Sequence, residues 1–156
     1  MKTSIKGIAF IKSFEKCSLK TYIDDVGVAT IGWGNTFYPN NKKVTIKDVA
    51  ITQVVADELF NTILATFEKG VNFLLGKTIV SQNQYDALIS FSYNVGMKNL
   101  SISTLLKKVL LNPSDASIPG EFLKWNKGGG KVLRGLTIRR TSESNIYLGG
   151  IYVNHN

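Results

Sequence analysis

Apolar residues recur every three or four positions over most of the chain, the spacing that places them on one face of a helix. The longest such stripe repeats every four residues from Val55 to Phe67 and predicts a helix that ends before Gly70. An apolar stripe of this kind usually packs on a core. The helical segments predicted along the chain are 4–14, 52–69, 81–95, 105–111, 121–125 and 136–147.

Polar residues that precede the stripes mark where several of these helices begin. Ser4 and Thr52 each stand before a stripe as predicted N-caps. Ser81 followed by Gln84 has the pattern of a capping box. Thr45 followed by Asp48 resembles the same box with Asp in place of Glu, and predicts a further helix start.

The pattern changes between residues 21 and 36, where β-branched and aromatic residues are interrupted by Asp and Gly. Short strands joined by tight turns have this composition, so a small hairpin sheet is predicted. Glycines 128–130 predict a flexible loop, and they are not a phosphate loop because no strand precedes them. A helix, a small sheet and then many helices make an α+β fold that is mainly helical.

The formal net charge of +8 is unevenly distributed. Residues 98–156 hold nine Lys or Arg against three acidic residues, and all the arginines lie there. A basic face attracts polyanions, which include nucleic acid, acidic lipid and the anionic polymers of a bacterial wall. No nucleic-acid-binding module is recognisable, and aromatic residues are not interleaved with the basic ones, so nucleic acid is not the predicted partner.

One cysteine and one histidine, Cys17 and His155, exclude an internal disulfide and leave no zinc-binding spacing. Cys17 is expected to be a small, partly buried thiol near a helix end. The apolar run at residues 8–11 is too short for a signal peptide or a membrane span. The sequence thus predicts a soluble protein without an export signal, and it calls for no metal or cofactor.

The segment from Glu15 to Asn35 holds the candidate chemistry. Glu15 stands at a helix end, where the partial negative charge of the C-terminus favours a protonated carboxyl, and Asp24 lies in the wetter hairpin, where it should stay ionised. An acid and a second carboxylate are what glycosidic hydrolysis requires, and Thr30 adds a hydroxyl. Such carboxylate pairs are common, so spacing alone leaves a purely structural role open.

The residues around this pair resemble the signature of the phage-type lysozymes, glycoside hydrolase family twenty-four, which includes the lysozyme of T-even phages. Later blocks, at residues 83–96 and 125–143, resemble the central helix and the C-terminal part of that family. The resemblance therefore covers nearly the whole chain in unbroken order. The signature positions are Glu15, Tyr22, Asp24, Gly27, Thr30, Ile31, Gly32 and Gly34.

The resemblance implies a lysozyme-like two-lobe fold in a single domain over 1–156. A small β-containing lobe is expected at about 15–51, a bridging helix at about 52–69 and a helical lobe at about 70–156, with the N-terminal helix 4–14 packed on it. The implied activity is hydrolysis, with inversion, of the β-1,4 bond between N-acetylmuramic acid and N-acetylglucosamine. For inversion the two carboxyl groups should lie ~6.5–9.5 Å apart.

Site roles follow from the same resemblance, position by position. Glu15 matches the catalytic acid, Asp24 the second carboxylate, and Thr30 the hydroxyl that helps to hold the attacking water. Tyr93 and Asn94 match positions that line the substrate cleft. An aromatic ring and an amide suit sugar recognition, although an Asn just before a helix-ending glycine also has a structural explanation.

Two positions depart from the family pattern. Lys16 replaces the usual glycine after the acid, and its charge would favour the ionised form of Glu15 unless its side chain points away. Asn35 replaces a common histidine at a position that is more often structural than catalytic. One basic residue of the last block is expected to reach the helix end that carries Glu15, and the candidates are Lys131, Arg134 and Arg139.

The charged residues near the end of the chain, and one tryptophan of the small lobe, have a structural interpretation. Arg139 and Arg140, with Glu143 three or four residues on, predict an ion-pair set on a helix rather than a phosphate site. Trp33 is expected to pack in the core of the small lobe, and stacking on a sugar is its alternative role.

Other functions remain as alternatives. A lytic transglycosylase needs the acid but often lacks the second carboxylate, so Asp24 with Thr30 favours hydrolysis. The intact set of three argues against a non-catalytic protein that binds wall polymers or nucleic acid. The cationic helix predicted at 105–111 is short for disrupting a membrane.

The partner implied is the glycan strand of peptidoglycan, bound by a monomer with no stable membrane insertion. A protein of this kind without an export signal is expected to accumulate in the host cytoplasm. It then acts on the bacterial cell wall after release by a separate pore-forming protein, a holin.

Overall fold

Helices make up most of the chain in the computed structural model, which describes residues 1–24 and 27–155. Asp25 and Val26 of the predicted hairpin, and Asn156 at the end of the predicted helical lobe, lie outside the described residues. The mainly helical α+β architecture is confirmed. The elements are α1 (Ile5–Phe14), β1 (Ser18–Ile23), β2 (Ala29–Gly32), α2 (Gln53–Leu75), α3 (Gln82–Val95), α4 (Met97–Ile102), α5 (Thr104–Leu111), α6 (Ile118–Leu123), β3 (Lys127–Gly128), β4 (Lys131–Val132) and α7 (Arg134–Tyr147).

The chain divides into two compact units. The small unit is Glu15–Thr66, and the large unit combines Met1–Phe14 with Phe67–Asn156. Helix α2 begins in the small unit and ends in the large one. The hairpin of β1 and β2 lies in the small unit, and the other helices lie in the large unit.

The small unit is built on a core of Ile31, Val44 and Leu59, each at most 3% exposed. Asn35 is also buried there, and its Nδ2 donates to the carbonyl oxygen of Leu59 at 3.2 Å. The backbones of Asn35 and Ile31 exchange two hydrogen bonds of 2.9 Å. Asn35 therefore has a structural role, because it fixes the loop after β2 to helix α2.

Helix α3 is the centre of the large unit. Every residue from Tyr85 to Ser92 is buried, whereas a surface helix would bury only one stripe. Helix α3 contacts α1, α4 and α7, and α7 in turn contacts α6. The last turn of α3, which carries Tyr93 and Asn94, consequently extends from a rigidly held helix.

The predicted helix caps are confirmed at three places. The Ser4 hydroxyl accepts a hydrogen bond of 3.0 Å from an amide in the first turn of α1. The Thr52 hydroxyl accepts one of 3.3 Å from the first turn of α2. Ser81 and Gln84 make both bonds of a capping box at the start of α3. These local signals fix where the helices begin because each satisfies an amide that the helix itself leaves unpaired.

The helix start predicted at Thr45 is wrong. The Thr45 amide and hydroxyl both donate to the Asp48 carboxylate, at 3.0 and 2.8 Å, and the Tyr38 hydroxyl donates to it at 3.0 Å. These bonds close a single turn. The amide of Ile51 then donates to the carbonyl oxygen of Leu19 in β1 at 2.8 Å, and α2 begins only at Gln53.

Helix α2 continues to Leu75, past the end predicted at Gly70. A Cβ added at Gly70 would lie 2.7 Å from Cε of Met97, so this glycine allows a close packing contact inside the helix. The helix ends instead before Gly76, whose φ of 55° is the left-handed conformation that commonly terminates helices.

The flexible loop predicted at glycines 128–130 is an ordered hairpin turn. Strands β3 and β4 pair antiparallel, with Gly128 opposite Lys131. Gly129 and Gly130 have φ values of 56° and 80°. Two-residue hairpins of type I′ require positive φ at both central positions, which glycine adopts without strain.

The packing of α1 on α3 leads to a prediction at Gly7. An added Cβ would lie 2.6 Å from Cγ of Asp86 and 2.9 Å from Cγ2 of Thr3. Asp86 is held in place by the Ser4 amide at 3.0 Å and the Gln82 amide group at 2.8 Å, so it has little room to retreat. We expect Gly7→Ala to lower the free energy of unfolding by about 1–3 kcal/mol, measured by denaturant titration.

Gly120→Ala in α6 is the matched control, since a Cβ added there has no other described residue within 4 Å beyond its chain neighbours and the backbone of its own helix. Helix propensity alone should make this variant more stable by about 0.5–1 kcal/mol. Equal effects of the two substitutions would contradict the packing argument at Gly7.

Candidate functional site

Glu15 is the first residue after helix α1, which ends at Phe14. Its side chain is partly buried, whereas Lys16 beside it is exposed. The charge of an exposed lysine is screened by water and salt, so Lys16 acts on its neighbour more weakly than its place in the sequence suggests. The candidate acid therefore lies at a helix end, as predicted, and the cation that follows it faces water.

Asp24 and Thr30 are both tied to the backbone of Val28. The Val28 amide donates to Oδ1 of Asp24 at 2.8 Å. The Val28 carbonyl oxygen accepts from the Asp24 amide at 3.0 Å and from the Thr30 hydroxyl at 3.0 Å. One peptide segment thus orients both the candidate carboxylate and the candidate hydroxyl.

The register of β1 and β2 places Thr30 on the same face of the hairpin as Tyr22. Tyr22 pairs with Thr30, and Ile23 pairs with Ala29. Directly paired residues share a face of the sheet, and Asp24 follows the end of β1. Thr30 is only 3% exposed, so its hydroxyl is held in a protected position.

Tyr93 and Asn94 occupy the last turn of α3 in the large unit. The Tyr93 ring packs on Phe67, with 5.2 Å between the ring centroids. Asn94 is exposed, and its Oδ1 accepts a hydrogen bond of 2.9 Å from Nη2 of Arg140. The five predicted site residues thus belong to two groups, Glu15, Asp24 and Thr30 in the small unit and Tyr93 and Asn94 in the large one.

Arg139, Arg140 and Glu143 form a buried cluster in the large unit, each at most 3% exposed. Oε1 of Glu143 accepts from the Ser90 hydroxyl at 2.7 Å and from Nε of Arg139 at 3.2 Å. Nε of Arg140 lies 3.1 Å from Oε2 of Glu143. Burial, opposed by Glu143, lowers the pKa of Arg140 to about 10, and burial raises the pKa of the Glu143 carboxyl.

The predicted ion-pair set of Arg139, Arg140 and Glu143 is confirmed, but the sequence did not reveal what else it touches. Ser90 and Asn94 are four residues apart on α3 and so share a helix face, which is the one signal that could have linked them. Their contacts with α7 depend on how the two helices pack. Through Arg140, the buried cluster contacts Asn94, a candidate substrate-binding residue.

Cys17 is partly buried, as predicted, whereas Trp33 is only partly buried and does not belong to the core of Ile31, Val44 and Leu59 in which it was expected. The Trp33 ring packs edge-on against Phe60 at 6.1 Å, and its Nε1 donates to Asp57 at 2.8 Å. Cys17 is partly buried with its Sγ 3.9 Å from Oε1 of Gln53. Both residues contact α2 in the small unit.

In residues 1–24 and 27–155, no three His, Cys, Asp or Glu side chains come together in a way that would hold a metal ion. Among the same residues, no helix combines the length and the apolar character needed to cross a membrane.

Comparison with known proteins gives consistent matches over the chain. A family model described as "Phage lysozyme" matches residues 12–143. The endolysin of Bacillus phage B103 is 41% identical over 157 aligned residues, which cover 96% of this chain and 55% of that protein. The endolysin of Acyrthosiphon pisum secondary endosymbiont phage 1 is 38% identical over 152 residues, covering 94% of this chain and 98% of that one.

The fold is matched by solved structures as well. The endolysin from Escherichia coli O157:H7 phage FAHEc1 superposes with a TM-score of 0.87 at 32% identity, covering 98% of this chain and 97% of that one. The chain spans about half the length of the Bacillus phage endolysins that it matches, at 55% and 56%.

Proposed function

Because the chain belongs to the phage lysozyme family, we propose that it is a muramidase, an endolysin that hydrolyses the glycan strands of bacterial peptidoglycan. At finer detail, we propose membership of glycoside hydrolase family twenty-four, with the T-even-like lysozymes. The bond cleaved is the β-1,4 link between N-acetylmuramic acid and N-acetylglucosamine, with inversion. The observation that carries the proposal is that the small unit begins with Glu15, at the end of α1, and contains a hairpin in which the backbone of Val28 binds both Asp24 and Thr30.

In this proposal Glu15 is the general acid that protonates the leaving glycosidic oxygen. Asp24 is the carboxylate that accepts a proton from the attacking water. The Thr30 hydroxyl already donates its hydrogen to the Val28 carbonyl, so toward the water it can act only as an acceptor. Asp24 and Thr30 would thus accept the two hydrogens of one water, which leaves an oxygen lone pair directed at the anomeric carbon.

Tyr93 and Asn94 are proposed to bind the sugar rings. The Tyr93 ring is supported from behind by Phe67, and an aromatic face of this kind suits the apolar side of a pyranose. The exposed Asn94 amide suits the polar groups of the same sugars. The enzyme is proposed to act as a monomer on the cell wall.

Product analysis tests this function. We expect a peptidoglycan digest to release new reducing ends at N-acetylmuramic acid, initially in the α configuration, observed by proton NMR within the first minutes. Anhydro ends in place of reducing ends would assign the chain to the lytic transglycosylases. Initial release of the β anomer would contradict inversion, and absence of any cleavage would contradict the muramidase proposal itself.

The route to the wall is proposed to be release from the host cytoplasm by a separate holin. Some relatives are named SAR-endolysins, which makes release without a holin the alternative. Expression in a host with and without a holin distinguishes the two, because lysis that occurs equally in both would contradict dependence on the holin.

A further inference from the structure

The buried ion cluster contacts the exposed side chain of Asn94. Arg140 and Glu143 are both 0% exposed, and the Arg140 guanidinium lies over the Phe91 ring at 4.9 Å. Nη2 of Arg140 donates to Oε1 of Glu143 at 3.3 Å and to Oδ1 of Asn94 at 2.9 Å. Among the residues that the structure describes, Arg140 is the hydrogen-bond partner of the exposed Asn94 side chain.

This contact fixes which way the Asn94 amide points. A guanidinium group has only donors, so the atom of Asn94 that faces it must be the oxygen. Nη1 of Arg140 is already buried without a hydrogen-bond partner in the described part of the chain. An inverted amide would place a further donor against these donors and would leave Arg140 with still fewer partners. The Asn94 NH₂ group must therefore point away from Arg140, where the side chain meets solvent.

We propose that Asn94 recognises the glycan as a hydrogen-bond donor and that Arg140 is the residue that positions it. The acceptor is the carbonyl oxygen of a sugar N-acetyl group, the strongest neutral acceptor that the proposed substrate offers. Arg140 touches no substrate and acts only by holding the amide in one orientation. This inference rests on the proposed function, and it adds that Asn94 is the donor and the sugar the acceptor in their hydrogen bond.

Asn94→Asp is the sharpest variant. The carboxylate keeps the size of the side chain and pairs with Arg140, but it presents an oxygen where Asn94 presents two donors. We expect KM for peptidoglycan to rise about tenfold, with kcat changed less than twofold and stability unchanged or raised. An unchanged KM would overturn the donor assignment.

A double-mutant cycle tests the positioning role. Arg140→Lys should raise KM in the wild-type background and have no further effect on KM in the Asn94→Ala background, because the amide that it orients is already gone. An equal rise in both backgrounds would show that Arg140 acts through the fold alone, and would overturn its positioning role. Thermal unfolding of each variant shows that a folded protein is being compared.

The acceptor is tested with partly de-N-acetylated peptidoglycan. The KM ratio between Asn94→Ala and the wild-type protein should fall toward one as acetyl groups are removed, and a constant ratio would contradict the N-acetyl assignment. Failure of the wild-type protein to cleave intact peptidoglycan would instead contradict the proposed function, and this inference with it.

Discussion

Glu15→Gln is expected to lower kcat for peptidoglycan hydrolysis by about 10²- to 10⁴-fold, the contribution that a positioned general acid makes. Glutamine keeps the shape and the hydrogen-bonding capacity of the side chain but has no proton to deliver to the leaving oxygen. KM should change little, because the proton is transferred in the transition state and is not part of ground-state binding. The rate is measured as reducing ends released from purified cell walls.

Glu58→Gln is the matched control for this experiment. Glu58 is an exposed residue of α2 in the same small unit, and the same substitution there should leave the rate within about twofold of the wild-type rate. Lysis by the Glu15 variant at the control rate would contradict the assignment of Glu15 as the acid.

Asp24→Asn separates the charge of the second carboxylate from its structural bond. An asparagine oxygen can still accept from the Val28 amide, so the turn after β1 should be kept. The loss of activity then reports the missing negative charge alone. We expect it to be smaller than the loss at Glu15, because Thr30 still accepts one hydrogen of the water.

The sequence predicted what depends on neighbouring residues. Ser4, Thr52 and Ser81 were identified as caps because each acts on an amide within its own first turn. The lysozyme-like α+β fold is confirmed for the same reason, since most of it is helices with clear periodicity. The candidate acid could also be placed at a helix end from the sequence.

Contacts between distant segments account for the errors. Gly70 suggested the end of a helix, and only the position of Met97 explains why a glycine lies within α2. Thr45 and Asp48 suggested a helix start, but Tyr38 donates to the Asp48 carboxylate and the Ile51 amide donates to the Leu19 carbonyl oxygen, and no helix begins there. None of these partners can be identified from local spacing.

For the buried charges of α7, too, the sequence predicted the local contacts and missed the contacts with a distant segment. Their spacing predicted the ion pairs, which lie within one helix. Their complete burial, the bond from Ser90 and the bond to Asn94 depend on α3 packing against α7. These tertiary contacts determine what the charges do, because buried ions without partners are far more costly than exposed ones.

Glu143→Gln is therefore expected to have the largest effect on stability, lowering the free energy of unfolding by about 3–5 kcal/mol. The substitution removes the carboxylate that lies against the guanidinium group of Arg140, whose side chain is 0% exposed. Removing one partner of a buried pair exposes the full desolvation cost of the other. Unfolding is followed by Trp125 fluorescence in a Trp33→Phe background, so that the signal comes from the large unit alone.

Glu121→Gln is the control that isolates this cause. Glu121 is also buried and also pairs with two cations, Lys108 at 2.7 Å and Lys124 at 2.9 Å. These lysine side chains are 28% and 67% exposed, so each can turn to water when the carboxylate is gone, and the loss should be about 1 kcal/mol. The two carboxylates differ chiefly in whether their partners can reach solvent. Equal losses at Glu121 and Glu143 would show that the charge itself, and not the trapping of its partners, determines the stability of the large unit.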